Sequence, residues 1–321
     1  MANNSNSLVS IVIITYNSSE YVLETLESAK QQTYQNIELI VSDDCSTDNT
    51  VAICREWLEQ NKSRFVRTEL IVAEHNTGIP ANCNKGYKKA QGEFIKCIAG
   101  DDILLPNCVE DLVNAIGDDY IITGICKSFY LNKKKEKVLG RDYPTEDKYS
   151  FFNNNPHIQH KKLLTQSFNF SPGVLLRKEI FDKVGWYDEQ YRYIEDLPFW
   201  LKCSSSDIKI ALLQKAVVLY RTNHNSMNQR KTEIYNTAFY SCLYKFRRNY
   251  IYPQIPWYNI AFWETELLEH TCYFILVHLC KNKRNKFTSV IFRCFYYLFL
   301  LPYPHRIKKY WNKIYKLQKE N

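Results

Sequence analysis

Residues 8–15, LVSIVIIT, form a nearly unbroken apolar run rich in β-branched side chains. Such a run suits a strand buried on both faces, as in a parallel sheet covered by helices. The pattern then alternates. Val22, Leu26 and Ala29 recur at helical spacing, and residues 37–42 read as a second strand. Residues 50–58 read as a second helix, opened by the cap-rich Ser46-Thr47-Asp48. Residues 70–73, 80–90 and 93–99 read as strand, helix and strand. Four strands joined by helical crossovers predict an α/β fold with a doubly wound, mainly parallel sheet. Ligands of such sheets bind beyond the carboxyl ends of the strands.

The polar residues at those ends are therefore the informative ones. The first strand runs into Thr15-Tyr16-Asn17, the second into Asp43-Asp44, the fourth into Gly100-Asp101-Asp102. A single strand-end Asp is commonly a helix cap. Two adjacent Asp pairs on one crevice repel unless a cation or a donor-rich ligand offsets them. Hard oxygen ligands suit Mg²⁺ or Mn²⁺, which bridge phosphates. These residues predict a metal–diphosphate site with an aromatic platform for a base.

Beyond residue 103 the alternation changes. Residues 120–126 and 217–220 read as strands, 133–137 as an exposed charged turn, and 178–184 as a helix ending at Gly185. Ser171-Pro172-Gly173 is a turn before a strand, and the chain beyond residue 226 reads as mainly helical. The expected organisation is 1–102 as a nucleotide-binding half, 103–228 as a second, acceptor-binding and catalytic half, and 229–321 as a helical C-terminal region.

Composition excludes several classes. Among nine glycines no two lie two apart, so neither a GxGxxG fingerprint nor a Walker A loop exists. The eleven cysteines form no CxxC pair, which argues against a zinc ribbon and fits a reducing compartment. The N-terminus lacks a basic n-region and does not read as a secretory signal. The formal net charge of +8 is unevenly spread. Residues 281–321 hold eleven Lys/Arg against one acid, +10, and leave the other 280 residues at −2. The longest uncharged stretch there, 294–304, falls short of the roughly 18 apolar residues of a spanning helix. Aromatic and apolar residues beside Lys308, Lys309, Lys313, Lys316 and Lys319 fit a segment lying on an anionic leaflet. A C-terminal helical hairpin packed on its own domain is the alternative. The acidic body offers no basic groove for nucleic acid.

Taken in order, VSIVIITYN, QQTYQNIELIVSDDCSTDNT, HNTGIPANCNKGYKKAQGEFIKCIAGDDILLP, GWYDEQYRYIEDLPFWLK and YRTNHNSM resemble the family 2 glycosyltransferases of GT-A fold. The likeness runs from about residue 8 to 228, and the NTGIPANCNKG and AGDD strings look most like bacterial enzymes building O-antigen or capsule repeat units. The resemblance implies that Thr15, Tyr16 and Asn17 line a base pocket, with Tyr16 stacking on the base. Asp43 would accept the base N3–H and Asp44 would support its loop. Asn76, Asn84 and Lys85 would approach ribose and diphosphate. Asp101 and Asp102 match the metal-binding aspartates, although Ala99 stands where many relatives carry an acid. Lys85 or Arg221 would supply a positive charge that relatives take from an arginine absent here.

Glu195-Asp196 matches the family's E-D motif, in which the Asp is the catalytic base; a helix N-cap is the structural alternative. His224 corresponds to a histidine near the metal or diphosphate. Glu195, Trp186 and Ser171 would border the acceptor, whereas Trp200 reads as core. The implied activity is inverting, Mn²⁺- or Mg²⁺-dependent transfer of a hexose from a nucleotide-diphosphate sugar, UDP favoured. The implied acceptor is a saccharide carried on undecaprenyl diphosphate, and the implied location the cytoplasmic face of the membrane. Two other classes stay open: a sugar nucleotidyltransferase, disfavoured by the lack of a glycine-rich loop after the first strand, and a non-catalytic assembly subunit.

Overall fold

The computed structural model describes residues 6–132, 134–166, 168–222 and 232–300. The chain divides into two compact units, Met1–Asn223 with Cys242–Ile251, and His224–Ser241 with Tyr252–Asn321. The first unit takes in residues 1–102 and most of 103–228, the segments expected as halves of the catalytic body.

In the first unit the chain begins β1 (Val9–Thr15), α1 (Val22–Lys30), β2 (Ile37–Asp43), α2 (Thr50–Asn61), β3 (Arg67–Val72), α3 (Ile79–Lys89) and β4 (Phe94–Ala99). It continues through β5 (Ile103–Leu104), α4 (Cys108–Ile116), β6 (Ile121–Leu131), β7 (Lys137–Tyr143) and α5 (Pro156–Leu163). Then come β8 (Val174–Arg177), α6 (Ile180–Val184), α7 (Asp196–Ser205) and β9 (Ile210–Arg221). One sheet runs β3-β2-β1-β4-β8-β6-β9-β5, with β7 paired to β6. β3, β2, β1 and β4 are mutually parallel, β8 is antiparallel to both its neighbours, and β6 and β9 are parallel. All seven residues of β2 and six of the seven in β1 are buried, as their apolar runs require when helices cover both faces. α1, α2 and α4 seal the core through Leu26, Trp57 and Leu112.

This order places the topological switch point between β1 and β4, because β2 and β3 extend to one side of β1 and β4 to the other. The open crevice of a doubly wound sheet lies there. Register carries the strand ends to one edge: Thr15 is opposite Asp43, and Ile14 opposite Ala99.

Differences from the sequence reading lie in the second half. β9 runs twelve residues rather than four, since its polar middle, Gln214-Lys215, is exposed and interrupts the apolar signal. β7 is mostly exposed and carries no core pattern. β3 begins earlier than expected, with charged Arg67 and Glu69 on a partly buried strand.

In the second unit α9 (Ile260–Phe274) and α10 (Lys286–Leu300) are the long helices; between the preceding elements lies α8 (Thr237–Phe246), whose C-terminal half belongs to the first unit. A polar network ties the second unit together. His270 bonds the Tyr240 hydroxyl at 2.7 Å and the Tyr252 hydroxyl at 3.0 Å, and Tyr252 donates to buried Glu266. No described helix is long and apolar enough to cross a membrane. Residues 301–321, which hold most of the expected basic tail, lie outside the described residues.

Candidate active site

The edge beyond β1 and β2 is built by side chains bonding the two strand ends together. Thr15 Oγ1 donates to Asp43 Oδ2 at 2.8 Å, and the Ser46 amide donates to Asp43 Oδ1 at 2.8 Å. The Ser46 hydroxyl adds a third donor at 2.5 Å. A carboxylate offers about four lone-pair positions, so buried Asp43 keeps roughly one for a ligand. Asn17 takes a left-handed backbone, φ +50°, and its side-chain oxygen accepts the Thr47 amide at 2.8 Å. The Tyr16 ring is 51% exposed.

Asp44 faces the next loop. Its carboxylate accepts the Thr77 amide (2.8 Å), the Thr77 hydroxyl (2.6 Å) and the Gly78 amide (2.7 Å). Lys85 Nζ lies 3.7 Å from Asp44 and donates to Thr77 Oγ1 at 2.9 Å. Protein donors, with the Lys85 ammonium beside Asp44, thus offset the expected repulsion between Asp43 and Asp44. Gly78 is required: φ is +97°, and a Cβ would lie 2.6 Å from the Arg192 carbonyl oxygen. Arg192 in turn donates to the Asn76 carbonyl at 2.7 Å and to its side chain. Asn84, expected near ribose and diphosphate, is buried and holds the 187–189 segment. It donates to the Tyr187 carbonyl (2.9 Å) and Glu189 (2.8 Å) and accepts the Tyr187 amide (3.1 Å). Trp186 stacks on Phe181 at 4.5 Å, with the Lys88 ammonium 5.5 Å from its ring. Trp200 is buried, as expected of a core residue.

Asp101 and Asp102 follow β4 across the switch point. Gly100 lets the turn approach Thr15, whose Cγ2 would lie 2.8 Å from an added Cβ. Asp102 is buried, and its Oδ1 accepts the Arg221 amide at 2.8 Å. Burial, then the charge of Asp101, push the Asp102 carboxyl well above the usual range; burial also raises Asp101, against the pull of Arg221. Arg221, expected to face a diphosphate, is buried beneath the turn instead. Its Nε donates to the Asp101 carbonyl (2.8 Å) and its Nη2 to Glu24 (3.0 Å), while Tyr21 and Phe129 flank the guanidinium. Its Nη1 is buried with no partner among the described residues.

No cluster of three or more His, Cys, Asp or Glu suited to a metal occurs among the described residues. Mg²⁺ is usually held by one or two carboxylates together with substrate phosphates and water. Two adjacent, under-donated carboxylates fit that mode. His224 lies outside the described residues.

The fourth component is the E-D segment. Asp196 is the first residue of α7, where the helix N-terminus favours negative charge. Its Oδ2 accepts the Ser171 hydroxyl at 2.8 Å and its Oδ1 the Leu197 amide at 2.6 Å. Ser171, expected to border the acceptor, therefore grips the carboxylate. Burial raises both acids of the segment. Desolvation, then the Asp196 charge, push Glu195 up to about 8, and Asp196 is raised by desolvation against its two donors. Two coupled acids with elevated affinity for one proton suit proton transfer.

β8 begins where β4 ends, since Leu175 is opposite Lys96, so the Ser171 turn lies at the same sheet edge as Asp101 and Asp102. The structure thus gathers Thr15, Tyr16, Asn17, Asp43, Asp101, Asp102, Asp196 and Glu195 along one edge, with Asp44, Asn76, Asn84, Lys85 and Arg221 bracing its loops. Sequence reading passes over Glu24, Thr77 and Arg192. Glu24 is one of many acids on a helix face, and its partners come from distant strands, Arg221 of β9 at 3.0 Å and Lys137 of β7 at 3.2 Å.

Comparison with known proteins identifies the family and the fold. The model for glycosyl transferase family 2 matches residues 10–185. The chain belongs to glycosyltransferase family 2. It is 28% identical over 241 residues to the glycosyltransferase GlyG of Streptococcus pneumoniae serotype 4, covering 71% of this chain and 75% of GlyG. Among solved structures it resembles residues 1–349 of Staphylococcus aureus TarS in complex with UDP-GlcNAc, with TM-score 0.56 and 21% identity, over 84% of this chain and 72% of that one. It spans 43% of a longer TarS chain. The mannosyltransferase PcManGT of Pyrobaculum calidifontis, in complex with GDP-Man and Mn²⁺, is similar over 69% of this chain and 59% of that one, with TM-score 0.51 and 16% identity. The α/β sheet of this glycosyltransferase has the GT-A fold, with helices following it toward the C-terminus.

Proposed function

We propose that this glycosyltransferase moves a hexose from a UDP-sugar to a hydroxyl of a lipid-diphosphate-linked saccharide, with inversion at the anomeric carbon. The observation that carries the reading is the Asp196 carboxylate. It is fixed by Ser171 and the start of α7, raised in proton affinity, and set at the sheet edge that holds the Asp101–Asp102 turn. Single displacement needs a base for the attacking hydroxyl, and Asp196 takes that proton. Its elevated affinity brings it closer to the pKa match that general bases need.

Tyr16 stacks on the base of the donor, and Asp43 presents its remaining acceptor position to the base N3–H. Asp101 and Asp102 would hold a divalent cation, which supplies charge neutralisation on the departing diphosphate. The UDP-GlcNAc complex of one structural neighbour and the Mn²⁺ complex of another support this choice of donor and metal.

The acceptor side favours an anionic membrane surface. α10 exposes Phe287 (69%) and Val290 (56%), and Lys281, Lys283, Arg284, Lys286 and Arg293 are all exposed with no acid in 281–300. Apolar and basic groups on α10 and in the residues just before it suit an interfacial segment.

The test is nucleotide release from UDP-, dTDP- and GDP-sugars with Mn²⁺ or Mg²⁺, with and without a synthetic lipid-diphosphate saccharide. Asp196→Asn is expected to abolish transfer and keep nucleotide binding. Turnover at the wild-type rate by that variant would remove Asp196 as the base, and release from no donor would overturn the enzyme reading. Deletion of residues 285–321 is expected to weaken binding to anionic vesicles; unchanged partitioning by a folded variant would favour a packed hairpin.

A further inference from the structure

Lys96 stands in the middle of β4, between β1 and β8, opposite Ile11 on one side and Leu175 on the other. Its relative exposure is 0%. An ammonium in that position is costly to desolvate, and apolar residues fill equivalent positions on β1 and β2. Sequence reading passes it over as part of the FIKCIA strand, and the reaction outlined above does not use it.

Its partners indicate what it does. Nζ donates to the Pro172 carbonyl at 2.5 Å and to the Cys97 carbonyl at 2.8 Å. Pro172 is the middle residue of the short 3₁₀ turn Ser171–Gly173, whose first residue carries the hydroxyl that holds Asp196. The turn is fixed at its other points as well. Thr123 Oγ1 donates to the Phe170 carbonyl at 3.1 Å. Gly173 lies against β6 so closely that a Cβ would come 2.4 Å from the Gly124 carbonyl oxygen. Only the middle of the turn lacks a main-chain or β6 anchor in this set, and Lys96 supplies it from beneath. A charged donor makes a stronger bond to a carbonyl than a neutral one.

We propose that Lys96 is a positioning residue for the base: its buried ammonium fixes the Pro172 carbonyl, which sets the Ser171 hydroxyl, which orients the Asp196 carboxylate. The proposal rests on the reading of Asp196 as the base. The hydrogen bonds of Lys96 go to the Pro172 and Cys97 carbonyls, and its charge also favours the ionised form of Asp102; its main effect belongs in the rate of transfer rather than in donor affinity.

A double-mutant cycle tests it. Lys96→Met keeps most of the length of the side chain and removes its donors. Lys96→Met and Ser171→Ala are each expected to lower kcat by roughly 10- to 100-fold, the scale of a misplaced reacting group, with the dissociation constant for the UDP-sugar changed less than about twofold. The double variant is expected to fall no further than the lower single variant, because both act through one carboxylate. Wild-type kcat in Lys96→Met, or losses that multiply in the double variant, would overturn the proposal.

A second measurement needs no substitution at Lys96. In the full-length protein labelled with ¹⁵N, one lysine ammonium resonance is expected to exchange slowly with water, and Ser171→Ala is expected to shift it. A resonance unmoved by Ser171→Ala would overturn the coupling even if Lys96→Met does not fold. Absence of turnover with every donor in the wild type would reject the base, while this resonance would still report whether Lys96 and Ser171 are coupled.

Discussion

Glu195 gives the sharpest prediction. Its carboxyl, next in sequence to the proposed base Asp196, has its affinity for a proton pushed from 4.5 up to about 8, first by desolvation and then by the charge of Asp196. The folded pKa exceeds the unfolded one, so the sign is fixed: the folded state binds the extra proton between those values. Stability is then fully present below about pH 4.5, falls as pH rises through the interval, and levels off above about pH 8. Each pKa unit corresponds to 1.36 kcal/mol, which sets a ceiling of about 4–5 kcal/mol. Partial solvent access to the half-buried group, and relaxation around it, reduce the expected value to about 2 kcal/mol. Glu195→Gln removes the titrating charge and keeps the shape. Its stability relative to wild type is expected to rise progressively from pH 5 to pH 8 and stay constant above, reaching about 2 kcal/mol at pH 9. For a chain of this size that is a rise in Tm of about 3 °C. Thermal unfolding followed by circular dichroism across pH 5–9 measures it. A difference that is flat with pH, or a variant less stable than wild type at pH 9, would refute the assignment of a desolvated, repelled carboxyl at this position.

Three further outcomes follow from the geometry. Tyr16→Ala, at a half-exposed position, is expected to leave Tm unchanged and weaken UDP binding by about 1–3 kcal/mol, the value of one base–aromatic stack; calorimetric titration showing wild-type affinity would remove Tyr16 from the base pocket. Arg221→Met severs the links to Glu24 and to the Asp101 carbonyl. It is expected to cost about 2–3 kcal/mol in urea unfolding and to weaken Mn²⁺ binding measured by electron paramagnetic resonance, and unchanged values for both would reject Arg221 as a brace. Gly78→Ala meets a left-handed backbone and the Arg192 main chain together. A loss of about 1–3 kcal/mol is expected from denaturant titration, and a neutral result would mean that the 76–79 loop is not clamped as described.

The first half of the sheet was legible because burial on two faces writes itself into composition. LVSIVIIT and IELIVSD can hardly be anything but central strands, and their ends name the crevice. The second half was less legible because its strands are long, partly exposed or paired at an edge. β9 contains Gln214 and Lys215, β7 contains Lys137, Arg141 and Asp142, and neither presents a clean period. Site residues were legible by type and much less so by orientation. Asn84 and Arg221 carry side chains suited to a diphosphate, yet each is turned inward onto another segment, by contacts 103 and 197 residues away in sequence. Ser171 looked like a turn residue at the acceptor edge, and only tertiary structure brings it to Asp196. Lys96 was illegible for the opposite reason: a lysine in a strand reads as solvent-facing.

The six strand-end and loop acids differ chiefly in how many protein donors they receive. Asp43 and Asp44 each accept three hydrogen bonds, and those bonds hold the 15–17, 46–47 and 77–78 loops in place. Such carboxylates are largely occupied by the scaffold, whatever remaining contact Asp43 makes with a ligand. Asp102 receives one such bond, from the Arg221 amide, and Asp196 receives two. Asp102, Asp101, Glu195 and Asp196 are also the acids that burial pushes upward. A fold that supplies three donors apiece to Asp43 and Asp44 has left these four short. Under-donated buried charge is unfavourable in the free protein and becomes favourable when something arrives to offset it. Under the function proposed above, the complement for Asp101 and Asp102 is a cation with phosphate, and for Glu195 and Asp196 it is a proton taken from a hydroxyl. The number of donors each acid lacks therefore separates scaffold from chemistry here more sharply than proximity to the crevice does.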